Sequence, residues 1–90
     1  MNDIFGADTA ALRVLAGKLE HLAGRLNAIE TSMTSKVSAT AWRGPDADRF
    51  RGAWGGGASQ AMRDAASNLG GAATSIRGDA QRQDQVSGVA

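Results

Sequence analysis

Large apolar residues recur at Leu12, Leu15, Leu19, Leu22, Leu26, Ile29 and Met33, in alternating steps of three and four. That spacing keeps them on one side of a helix and repeats an a/d seam over three heptads. Val37 follows Met33 at a further step of four, so the seam drifts slightly at its end. Between these positions lie Arg13, Lys18, Glu20, His21, Arg25, Asn27, Glu30 and Ser32, which read as a solvated flank. Asp8 or Thr9 can cap such a helix, because a short side-chain oxygen accepts from the free N–H groups of the first turn. The pattern predicts a helix over about 8–40, roughly 50 Å long at 1.5 Å per residue. Gly17 and Gly24 each weaken it by about 0.8–1 kcal/mol relative to alanine. Residues 1–7 are read as coil.

A second apolar line opens with Phe50 and Trp54. It continues through Ala58, Ala61 or Met62, Ala65, Leu69, Ala72 or Ala73, Ile76 and Ala80. Gly52, Gly55, Gly56, Gly57, Gly70, Gly71 and Gly78 interrupt it and together disfavour an isolated helix by roughly 6 kcal/mol. This helix, over about 46–83, is therefore expected only with a partner packed against it. Its alanines and glycines let that partner approach closely, and the Leu-rich stripe supplies the bulk. Gly55 to Gly57 are expected to leave it continuous or slightly kinked. The periodicity fades after Gln83, so residues 84–90 are expected to fray.

Between the two lines stands Ala41-Trp42-Arg43-Gly44-Pro45-Asp46. Gly44 can take backbone angles other residues avoid, and Pro45 suits a first helical position, where no N–H partner is needed. Asp46 and Asp48 add negative charge at the positive end of the helix dipole. Residues 41–45 read as a turn. No strand-like alternation exists, and the fold class is all-α: an antiparallel two-helix hairpin in one domain over 1–90.

Composition then limits the core. Of the apolar residues, 18 are alanine, leaving 20 larger side chains, most of them strung along two stripes. A chain of 90 residues is marginal at burying a core of its own, so a partner surface is the natural complement. A net charge of +1 gives no reason to expect nucleic acid or an acidic membrane. There is no cysteine, which excludes disulfides and thiolate chemistry. No run of about 18 apolar residues is present to span a bilayer. The start, Met1-Asn2-Asp3-Ile4-Phe5, lacks the pattern of a cleavable signal peptide.

With Trp42-Arg43-Gly44 at mid-chain between two helical stripes, the sequence resembles the Trp-X-Gly family of hundred-residue proteins. These are the early secreted antigenic target and its relatives, small substrates of type VII secretion in actinobacteria and firmicutes. Pro45-Asp46-Ala47-Asp48-Arg49-Phe50, reaching Trp54, looks like the actinobacterial branch. The resemblance implies a hairpin folded at the Trp-X-Gly turn and paired into a four-helix-bundle dimer with itself or a sister protein. It also implies export from the cytoplasm without a cleaved signal. A secretion ATPase would read a C-terminal Tyr-x-x-x-Asp/Glu element of one partner together with the turn of the other. The chain contains no tyrosine; Ala80 and Asp84 have the spacing of that element, with Ala80 where the aromatic should be. An intracellular adaptor that docks a larger effector or toxin is the alternative reading.

The remaining candidates are structural. Trp42 either plugs the end of the hairpin or serves as a recognition residue at its tip, and the roles are compatible. Leu12, Leu15, Leu19, Leu22, Leu26, Ile29, Met33, Phe50, Trp54, Ala61, Ala65, Leu69 and Ile76 are assigned jointly to the core and a dimer contact. His21 has no convergent ligands for a metal and reads as solvated. Glu20 and Glu30 stand ten residues apart on a convex helix, with no cleft to shift their pKa values. Gly55-Gly56-Gly57 lacks the lysine and hydroxyl of a phosphate loop. Neither enzyme activity nor a cofactor is expected.

Overall fold

Asp8 begins the first helix: its side-chain oxygen accepts from the Ala11 amide at 3.1 Å and satisfies one free donor of the first turn. The computed structural model describes residues 8–89, so residues 1–7, read as coil, and Ala90, the end of the tail expected to fray, lie outside the described residues. Helix α1 runs over Thr9–Ala39, α2 over Pro45–Ala53 and α3 over Ser59–Val89, with a π-helical turn at Trp54–Ala58 between α2 and α3. No strand occurs among the described residues. Ion pairs fix the direction of the two long helices. Arg13 meets Asp84 at 2.7 Å, Glu20 meets Arg77, and Glu30 meets Arg63 at 3.1 Å. Partner numbers fall as α1 advances, so α1 and α3 form an antiparallel hairpin. It is a rod of 67 × 17 × 15 Å. Its radius of gyration is 19.7 Å, against about 12 Å for a compact chain of this length.

The seam between the helices alternates large and small residues. From α1 it takes Leu12, Ala16, Leu19, Ala23, Leu26, Glu30, Met33 and Val37. From α3 it takes Ser59, Met62, Ala66, Leu69, Ala73, Ile76, Ala80 and Gln83. Ala16, Ala66, Ala73 and Ala80 are closed off from solvent, while no large side chain is fully buried. Alanine at positions 16, 23, 66, 73 and 80 brings the helices close, but the leucines then lie along the margins of the contact.

This register divides the stripe expected from sequence. Leu12, Leu19, Leu26 and Met33 enter the seam; Leu15, Leu22 and Ile29 lie on its flank, each nearly half exposed. On α3, Leu69 and Ile76 enter it, whereas Ala61 and Ala65 are exposed. Of the open pairs, the fold places Met62 and Ala73 inward.

Fraying after Gln83 is not observed, because α3 continues to Val89. The reason is tertiary: Asp84 is held by Arg13 and by the Thr9 hydroxyl at the start of α1. The opposing helix therefore supports this last stretch.

Residues 40–44 connect α1 to α2. Gly44 has φ 118° and ψ 176°, a region that is nearly glycine-only. Its carbonyl accepts from the Asp48 amide at 3.0 Å, and Pro45, Asp46 and Asp48 occupy the first turn of α2. Arg51 closes the other side of the connection. Its Nε donates to the Val37 carbonyl at 3.2 Å and its Nη2 to the Thr40 carbonyl at 3.1 Å. These are oxygens that the end of α1 would otherwise leave without a helical partner. The glycine triplet bends the second helix, since Gly57 has φ 163° and ψ −29° within the π-helical turn.

Two substitutions of the same kind should have opposite signs. Gly44→Ala forces an L side chain into a glycine-only conformation and should cost about 1–3 kcal/mol. Gly24→Ala lies inside α1 with open space around its Cβ and should stabilise by up to about 1 kcal/mol. Urea denaturation followed by circular dichroism measures both.

Candidate interaction surface

The heptads give the hairpin two unlike edges. On one, Arg13, Glu20, Asn27 and Thr34 of α1 adjoin Arg63, Gly70, Arg77 and Asp84 of α3. On the other, Leu15, Leu22 and Ile29 share an edge with the seven-residue column Ala58, Ala65, Ala72, Asp79 and Val86, in which the exposed Asp79 interrupts the apolar positions. Exposure is 44% at Leu15, 46% at Leu22, 45% at Ile29 and 69% at Val86. Ala61 borders this second edge from the outer side of α3. Polar groups thus line one edge with ion pairs, and the other carries large side chains on one helix beside small ones on the next. Leu22 and Ile29 beside Ala65 and Ala72 thus form an exposed apolar patch, bounded by Asp79.

At the tip, Trp42, Phe50 and Trp54 form a row. The Trp42 and Phe50 ring centroids are 6.1 Å apart at a tilt of 48°, and those of Phe50 and Trp54 are 6.4 Å apart and nearly parallel. Trp42 is 45% exposed and Phe50 is 37% exposed, so the row is a half-open cluster. A groove of about 150 Å³ beside it is lined by Lys36, Val37, Thr40, Trp42, Phe50 and Arg51. Arg43 and Gly44 are exposed in the connection.

Below the tip lies a polar node that the sequence pattern places wrongly. Glu30, read there as part of the solvated flank, is buried in the seam with 4% exposure. Its Oε2 accepts from Thr34 Oγ1 at 2.8 Å, Ser59 Oγ at 2.6 Å and Arg63 Nη2 at 3.1 Å. Thr34 Oγ1 in turn accepts from the Trp54 indole Nε1 at 3.0 Å. The Arg63 bond, followed by those from Ser59 and Thr34, outweighs desolvation and lowers the Glu30 carboxyl from 4.5 to about 2. The expectation of an unshifted Glu30 is therefore corrected: α3 builds around it the enclosure that a lone helix lacks. Glu30 follows Ala16 and Ala23 at seven-residue intervals, and that spacing was the available signal. Arg51 carried no comparable signal, because its acceptors are backbone carbonyls 14 and 11 residues away.

Ala80 is fully buried against α1, and Asp84 is engaged with Thr9 and Arg13, which together hold its carboxyl below the usual range. His21 is exposed. Among the described residues, no three His, Asp or Glu side chains converge as metal ligands, and no helix is long and apolar enough to cross a membrane. Comparison with protein-family models, with characterised proteins and with solved structures finds no match to this chain.

The Glu30 shift links stability to acidity. A carboxyl lowered on folding contributes stability fully present above its unfolded value of 4.5, and that stability is lost as pH falls towards about 2. Asp84, shifted in the same direction, adds to the loss. Melting temperatures measured from pH 6 to pH 2.5 should fall more steeply for the natural chain than for Glu30→Gln, whose residue 30 no longer titrates. Parallel curves would show that the node carries no linked protonation.

Proposed function

We propose that this chain is a small helical-hairpin substrate or partner protein of a type VII secretion system, acting by pairing with a second hairpin. The observation that carries the reading is the apolar edge of Leu15, Leu22, Ile29, Ala58, Ala65 and Ala72, which the hairpin leaves open and which ends at Asp79. Burying that edge against an identical or sister hairpin yields a four-helix bundle, in which leucines of one copy seat over alanines of the other. The half-open tip with Trp42-Arg43-Gly44 stays clear of such a contact and is available to a secretion ATPase.

The C-terminal element favours the partner role over the signal-bearing one. Ala80 offers no aromatic and is covered by α1, and Asp84 is tied to α1 as well. On this reading a sister hairpin supplies the tyrosine, and the pair leaves the cytoplasm together. The same observation supports an alternative, in which the chain remains inside as an adaptor that docks a larger effector or toxin for export.

Association is tested first. Sedimentation over a concentration series should show a dimer that Leu22→Glu or Ala65→Glu converts to a helical monomer. A monomer at all micromolar concentrations, with no sister protein binding it, would overturn the pairing. Export is tested separately, in cells with an active type VII apparatus. The chain should appear in the medium together with a tyrosine-bearing sister, and Trp42→Ala should retain it. Retention of the natural chain on a larger co-purifying protein would instead select the adaptor.

A further inference from the structure

The π-helical turn at Trp54–Ala58 joins two segments that are held to α1 by different means. On one side, α2 is anchored to the end of α1 by the Arg51 bonds to the Val37 and Thr40 carbonyls. On the other, α3 is held by the alanine seam from Ala66 onwards. Between these anchors only Ser59 and Met62 enter the seam, and Trp54 packs on Phe50 of α2. Gly55, Gly56 and Gly57 are exposed, and a Cβ built on any of them would meet nothing within 4 Å. The Ser59 amide donates to the Trp54 carbonyl five residues back, a looser turn than the α-helices that flank it.

What closes this stretch onto α1 is the polar node. Trp54, at the start of the π-turn, donates through its indole to Thr34, and Thr34 donates to Glu30 Oε2. Ser59 and Arg63, just beyond the turn, donate to the same oxygen. Both ends of the glycine-rich turn are therefore tied, directly or through one hydroxyl, to a single atom of α1.

We propose that Glu30 is the latch of a joint at Trp54–Ala58: its carboxylate holds residues 54–63 against α1, and its release lets that segment part from α1 as a unit. The anchored α2 and the seam beyond Ala66 remain in place. Opening uncovers Met33 and Met62, which are only partly exposed in the closed hairpin, at the tip-side end of the seam. The joint gives the rod a local, low-cost opening beside its tip, of the kind drawn from the least packed part of a fold.

Amide hydrogen exchange on the whole chain tests the latch. Glu30→Gln should speed exchange at residues 55–63 by about tenfold or more, with less than about a twofold change at 66–83. Trp54→Phe keeps a ring on Phe50 but removes the indole donor, and should speed the same segment by a smaller factor. Adding Gly55→Ala and Gly56→Ala to Glu30→Gln should slow the segment again, because alanine disfavours the open turn. Uniform acceleration along the chain, or no change at 55–63, would overturn the proposal. Should Glu30→Gln fail to fold, Trp54→Phe and Ser59→Ala give the same readout and decide it alone.

Discussion

Close approach along an alanine seam is the constraint on which the molecule depends. Ala16, Ala66, Ala73 and Ala80 are small enough to be closed off from solvent between α1 and α3. That contact is dense but thin, because an alanine buries little area of its own. The larger residues cannot occupy the middle, so Leu12, Leu19, Leu26, Met62, Leu69 and Ile76 line its margins. A rod 15 to 17 Å thick has no interior to hide more. The short distance between helices also lets Arg13, Glu20 and Glu30 reach carboxylates and guanidiniums on α3.

Within that seam one position is charged. Glu30 takes the place that alanine has at 16 and 23, and its burial would be unfavourable without partners. Ser59, Thr34 and Arg63 supply them, and all converge on one oxygen. A slip by one turn would strand this buried carboxylate away from Ser59 and Arg63, so the node disfavours such a slip. The node stands at the junction of the seam, the π-turn and the tip, where register matters most.

The edges follow from the same geometry. Once the seam takes the positions of Leu12 and Ala16, the polar and apolar flanks are assigned to opposite sides. The ion-paired edge is complete in the single hairpin, as its charges have partners in α3. The apolar edge is not, as Leu15, Leu22 and Ile29 remain nearly half exposed beside Ala65, Ala72 and Asp79. This asymmetry leaves apolar surface uncovered on one side of the hairpin only.

Apolar periodicity determined that the chain is helical in two long segments, and the backbone preferences of Gly44 and Pro45 determined where they separate. These features rest on local periodicity and backbone preference, which neighbouring residues settle among themselves. Periodicity could not choose which two of three adjacent columns form the seam. Leu15 and Leu22 look as inward as Leu12 and Leu19 until α3 is in position, and Ala61 and Ala65 look as inward as Ala66. The same holds for Glu30, whose burial and lowered pKa depend on donors 29 and 33 residues further along. Arg51 on the α1 carbonyls and the helix persisting past Gln83 are likewise decided by contacts across the hairpin. Tertiary structure decided these points because each turns on the position of one helix relative to the other, and no short stretch of either encodes that.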